Sequence, residues 1–98
     1  MILLRSGKES KVDLFKELNK SCSIITDLLL TKFIYYPATN VISATDEHGI
    51  MLTKNDCLKI FVSAGFTSIR DVFNKYKSDI EYKMGYCVLN LYICYVNE

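Results

Sequence analysis

The chain has 98 residues, half of them hydrophobic, and 12 basic residues against 11 acidic ones leave a net charge of +1. That length supports one hydrophobic core, and the composition is globular rather than disordered or fibrous. The near balance of charge excludes a general electrostatic grip on nucleic acid or anionic lipid, and no apolar run approaches the roughly 20 residues of a membrane span.

Met1-Ile2-Leu3-Leu4 meets Arg5 after three apolar residues, too few for a secretory signal. The expectation is a cytoplasmic protein, of the producing cell or of a host cell. Ile, Lys, Asn, Tyr and Phe are abundant, with one Pro and no Trp. AT-rich codons give that bias, which points to the genome of a virus, a phage, a parasite or a low-GC bacterium; with the small size it suits a viral or phage factor. The four cysteines, Cys22, Cys57, Cys87 and Cys94, each sit among apolar residues, and none belongs to a C-x-x-C pair. They read as buried free thiols rather than zinc ligands or disulfides.

Ile2 to Leu4 predicts a short strand. Ser6 with Glu9, or alternatively Ser10 with Asp13, marks a helix start. Phe15, Leu18, Cys22, Ile25 and Leu29 then step by three and four, an apolar stripe that predicts a helix continuing past Asp27. Residues 31–36 read as either helix or strand, and Pro37 ends whichever forms. Val41–Thr45 and Ile50–Leu52 flank a polar loop ending in Gly49 and predict a hairpin.

Thr53 with Asp56 is a second capping pair and starts a helix at Lys54. Gly65 stops it in a left-handed C-cap, with Phe66 packing back. Ser68 with Asp71 starts a third helix, whose face Ile69, Val72, Phe73, Tyr76 and Ile80 carries it to about Lys83. Tyr86 to Val96 has no charge, and its aromatic and β-branched residues predict a long strand. The whole reads as one α+β domain over residues 1–98. Its order is β-α-β-β-α-α-β, with a mainly antiparallel sheet covered by helices.

Catalytic chemistry finds little to work with. His48 is the lone histidine and sits on a polar turn. Cys57 near a helix N-terminus is the best nucleophile, because the helix dipole lowers a thiol pKa. It has no orienting group beyond His48. No phosphate-loop, dinucleotide or metalloprotease motif is present. The expectation is a protein that is not an enzyme, with no catalytic residues, no cofactor and no metal.

Residues 54–82 form a helix, short turn and helix whose turn, Ala64 to Ser68, resembles that of DNA-binding helix-turn-helix units. The resemblance implies a small DNA-binding regulator contacting DNA through Ser68, Arg70, Asn74, Lys75 and Lys77. Phe61 and Asp71 depart from the pattern, at a position usually small and at one usually apolar. With net charge near zero, nucleic acid is the weaker reading.

The leading expectation is a non-catalytic protein-interaction module, acting on a host protein or on a second copy of itself. Odd positions of the last strand, Cys87, Leu89, Leu91, Ile93 and Tyr95, face the core. The even face, Tyr86, Val88, Tyr92, Cys94 and Val96, is then left as an interface, most simply in a homodimer.

Overall fold

The computed structural model describes residues 1–20 and 24–97. In chain order the elements are β1 (Ile2–Ser6), α1 (Lys11–Lys20), β2 (Ile24–Tyr36), β3 (Val41–Asp46), β4 (Met51–Leu52), α2 (Lys54–Ser63), α3 (Ile69–Lys75), β5 (Glu81–Tyr82) and β6 (Cys87–Asn97). The class is α+β. The strands form one antiparallel sheet in the order β1-β6-β2-β3-β4, with β5 beside β6 on the same side as β1.

The uncharged final segment is the spine of this sheet. β6 pairs with β2 from Ile24↔Asn97 to Tyr35↔Cys87, and with β1 from Ile2↔Tyr95 to Ser6↔Leu91. A strand with neighbours on both edges and both faces covered along most of its length has little solvent side to carry polar residues, so its sequence does not alternate. Asn90 alone interrupts its buried run from Cys87 to Cys94. Cys87, Leu89, Leu91 and Ile93 point to one face and pack with Cys57, Ile60 and Phe61 of α2 and Ile69, Val72 and Phe73 of α3. Phe33 and Phe61 meet there with ring centroids 5.2 Å apart, and Tyr35 and Phe73 at 5.0 Å.

The long first helix is not formed. α1 ends at Lys20, and Ile25 and Leu29 belong to β2; Cys22 lies outside the described residues. The start is the alternative one, with the Asp13 N–H donating to Ser10 Oγ at 3.2 Å. The buried pair of α1 is Leu14 and Leu18, while Phe15 is 40% exposed. Leu28, Leu29 and Leu30 suit a helix stripe and a doubly covered strand equally well by pattern. Pairing with the whole length of β6 decides for the strand.

The caps are where they were expected. Thr53 and Asp56 form a reciprocal capping box. At the end of α2, the Phe66 N–H donates to the Phe61 carbonyl and the Gly65 N–H to that of Val62, a Schellman turn with Gly65 at φ 91°. The third helix is shorter than its pattern. α3 stops at Lys75, a 3-10 turn covers Lys77–Asp79, and Glu81 is already in β5. Ile80 still reaches the core, from an extended backbone at ψ 132°.

Gly7 marks where β1 leaves the sheet. Its N–H donates to the Asn90 carbonyl at 2.9 Å, and a Cβ there would stand 2.8 Å from that oxygen. Thr31 is fully buried in β2, and its Oγ1 has no hydrogen-bond partner among the described residues. An orphaned buried hydroxyl costs stability that an isosteric methyl would not. Thr31→Val should therefore raise stability by about 1 kcal/mol in urea unfolding. A loss of stability would mean the hydroxyl is bonded.

Candidate functional site

The second face of the sheet is covered only in part. Leu14 and Leu18 of α1 pack on Leu28, Tyr92, Cys94 and Val96, with Leu3, Ile25 and Leu30 at the margin. The ion pairs Arg5–Glu17 at 3.9 Å and Lys11–Glu47 at 3.4 Å flank the helix, both too exposed to hold it strongly. This corrects one expectation. Tyr92, Cys94 and Val96 are 8%, 0% and 5% exposed beneath a helix of the same chain, so they are not open to a partner. A ten-residue amphipathic helix suffices to cover them, which the sequence pattern had assigned to a different stripe.

The α1 cluster stops at Leu30 and Tyr92. Beyond it the register sets Glu81, Val88, Ile34 and Ser43 in one row across the sheet. Asn90, Lys32, Thr45 and Met51 form the next row toward α1. On the other side of the central row, Tyr36 pairs with Val41, and the Tyr36 and Tyr86 rings lie 5.5 Å apart. Tyr36 is 41% exposed and Val41 48%, while Val88 at their centre is buried. Of the expected interface residues, Tyr86 is partly open in the bare half, and Val88, 5% exposed, forms its floor. Ile34, Tyr36 and Val41 join them. Sequence reasoning missed these three, although Tyr35-Tyr36 and Val41-Ile42 around Pro37-Ala38-Thr39-Asn40 carry a hairpin signal of their own.

A mainly apolar hollow of about 290 Å³ adjoins this surface at Tyr86, lined also by Pro37, Ala38, Tyr82, Lys83, Gly85 and Cys87. Met84, 99% exposed, stands at the tip of the same β5–β6 turn. The charges around the surface have both signs. Lys83 pairs with Glu81 at 2.7 Å, which raises the lysine and lowers the glutamate from their ordinary pKa values. Lys32 lowers Glu81 further.

The helix pair lies on the opposite face. Ser68, Arg70, Asn74, Lys75 and Lys77 are all exposed, so none is used up in the core. Ser68 Oγ accepts the Asp71 N–H at 3.2 Å. The Lys75 ammonium lies over the Phe66 and Tyr76 rings, 5.4 and 5.5 Å from their centroids. Phe61 is buried against Phe33 rather than at a close helix crossing. Seven residues of α3 give a helix only about 10 Å long.

Among the described residues no three His, Cys, Asp or Glu side chains gather as metal ligands would, and no helix is long and apolar enough to cross a membrane. His48 sits in the β3–β4 turn, its backbone N–H donating to Asp46 Oδ1 at 2.9 Å. Cys57 is a buried free thiol, as expected. Burial, with the nearby Asp56 charge second, pushes its thiol up to about 11, so the helix start does not yield a thiolate at neutral pH. Cys94, also fully buried, is pushed up to about 11 by burial.

Cys57, Cys87 and Cys94 are free and buried. In the native protein they should react with a thiol reagent only as fast as it unfolds. Unfolded thiols ionise near the ordinary value of 9.0, while Cys57 and Cys94 stay neutral to about 11. Their contribution to stability is therefore complete below pH 9 and is lost as pH rises toward 11. Urea midpoints across that range should fall, and fall less in Cys57→Ala/Cys94→Ala. Fast labelling of all thiols at neutral pH would contradict this burial. Comparison of the chain with protein-family models, with curated proteins and with solved structures gives no match.

Proposed function

We propose that the protein is a non-catalytic protein-interaction module that associates with a second copy of itself through the half of the sheet left bare by α1. One observation carries this: Ile34, Tyr36, Val41 and Tyr86 surround Val88 on a sheet face over which the α1 cluster does not extend. With Met84, the exposed apolar area is on the order of a few hundred Å², comparable to the largest patch on a typical monomer, which is often a functional surface. A standard interface takes about 800 Å² from each partner, so the pair should be of micromolar strength rather than obligate.

A second copy is favoured over another protein by the charge pattern. Lys32 and Glu81 lie diagonally across the patch. A two-fold axis passing over β6 between Val88 and Asn90 sets the lysine of each copy opposite the glutamate of the other. The apolar hollow and exposed Met84 adjoin one another, as a self-complementary contact requires. Edge-to-edge pairing is disfavoured, because the Leu4 carbonyl on β1 is already taken by the Tyr76 hydroxyl at 2.9 Å.

Sedimentation velocity over a range of concentrations tests the reading. The native chain should pass from monomer to dimer at tens of micromolar or below. Tyr36→Lys should remain monomeric at concentrations about tenfold higher, with its urea midpoint nearly unchanged. A native chain that stays monomeric would defeat self-association. Micromolar binding to duplex DNA, lost on Lys75→Glu with Lys77→Glu, would favour the DNA-regulator reading instead.

A further inference from the structure

On the helix-covered side of the sheet, an open cleft of about 650 Å³ separates the β2–β3 loop from the start of α2 and the α2–α3 turn. Its polar wall is made of Asn40, Lys54, Ser68 and Arg70, with Thr67 beside them, and no carboxylate lines it. Lys54 comes from α2 and Arg70 from α3, so the fold brings the two cations to one cavity from separate elements. Neither has an acidic partner within ion-pair distance among the described residues. The Lys54 ammonium donates to the Asn40 carbonyl at 2.7 Å.

The remaining groups are arranged to donate as well. Asn40 Oδ1 accepts the Tyr35 hydroxyl at 2.9 Å, which leaves the Asn40 amide nitrogen free to donate. Asn40 is held in that place at φ 55°, the one described non-glycine residue with positive φ. Ser68 Oγ accepts the Asp71 N–H, which leaves its own hydrogen to donate. The Asp71 carboxylate, outside the lining, is bonded by the Thr67 hydroxyl. Beneath the donors lie Tyr35, Leu58 and Ile69.

A wall of donors and cations calls for an acceptor-rich anion, and an arginine with a lysine suits phosphate oxygens. The volume falls within the range for small organic ligands and is far larger than bare phosphate needs. We infer that this cleft binds a small phosphomonoester with an apolar or aromatic body. Its phosphate sits between Lys54 and Arg70, and its body rests on Tyr35, Leu58 and Ile69. The site opens on the helix-covered side, meets the hollow of the proposed dimer contact at Pro37, and does not depend on that contact.

Amide-shift titration of the native chain with phenyl phosphate, adenosine monophosphate and inorganic phosphate tests the inference. Phenyl phosphate should shift amides around Asn40, Lys54 and Ser68–Arg70, with saturation below about 1 mM. Inorganic phosphate should bind at least about fivefold more weakly, having no body to bury. Lys54→Gln and Arg70→Gln, both at exposed positions, should each weaken phenyl phosphate about tenfold while leaving the unfolding midpoint unchanged. Saturation by adenosine monophosphate in the same range would place nucleotides among the ligands. The inference is overturned if phenyl phosphate gives no saturable shift by about 10 mM, if inorganic phosphate binds as tightly, or if the double variant binds as well as the native chain.

Discussion

Tyr92→Lys is expected to unfold the protein as thoroughly as Leu91→Lys. The two residues point to opposite faces of β6, and both faces are internal at that point. Leu91 is fully buried under α2 and α3, and Tyr92 is 8% exposed beneath Leu14 and Leu18 of α1. Losing a buried ring alone costs about 3–5 kcal/mol. An ammonium in its place would also be desolvated, with Arg5 at the paired position of β1 as a like charge beside it. A domain of this length holds only about 5–10 kcal/mol in all. Circular dichroism in buffer should show loss of structure in both variants. A folded Tyr92→Lys would mean that α1 does not sit where the structure places it.

Phe61→Ala should cost about 3–5 kcal/mol, the largest loss expected from a single truncation on the helix side. Phe61 is 1% exposed, faces the fully buried Phe33 across the layer, and offers its carbonyl to the Schellman turn. Removing the ring leaves a cavity between the last turn of α2 and β2 that rigid strands cannot close. The same residue separates two readings of the helix pair. In a DNA-binding helix-turn-helix unit a small residue at that position lets the helices cross closely, and alanine would be tolerated or favourable. A urea midpoint unchanged by Phe61→Ala would contradict the core role and reopen the DNA reading.

Much of the local structure is legible in the residues because it is set by short-range chemistry. Thr53 with Asp56, Ser68 with Asp71 and the Gly65 stop are hydrogen-bond arrangements spanning three or four residues, and the structure has each of them. The hairpin around Gly49 and the final strand follow from turn residues and β-branched runs. The misreadings share one physical cause. Leu28 to Leu30 carry apolar side chains to both faces of β2, so their pattern matches a helix stripe equally well, and only pairing with β6 separates the two. Ile80 sits at helical spacing from Tyr76, but a 3-10 turn at Lys77–Asp79 breaks the helix and still delivers the side chain to the core.

The candidate surface was half legible for the same reason. That β6 has two apolar faces is plain from its sequence. How far α1 reaches over the second one is a tertiary fact, and it divides Tyr86 and Val88 from Tyr92, Cys94 and Val96. The residues that complete the bare half, Ile34, Tyr36 and Val41, lie on β2 and β3, whose pairing with each other and with β6 brings them together.

The central claim is that the second sheet face is divided between α1 of the same chain and a second copy. Isotope-filtered NOE measurement on an equimolar mixture of ¹³C-labelled and unlabelled protein, at a concentration where dimer prevails, reads that division directly. The account predicts intermolecular contacts from the Ile34, Val41, Val88 and Met84 methyl groups. It predicts only intramolecular ones between Leu14 or Leu18 and Val96. Intermolecular contacts from Leu14 to Val96, or none from Ile34 and Val41, would contradict it.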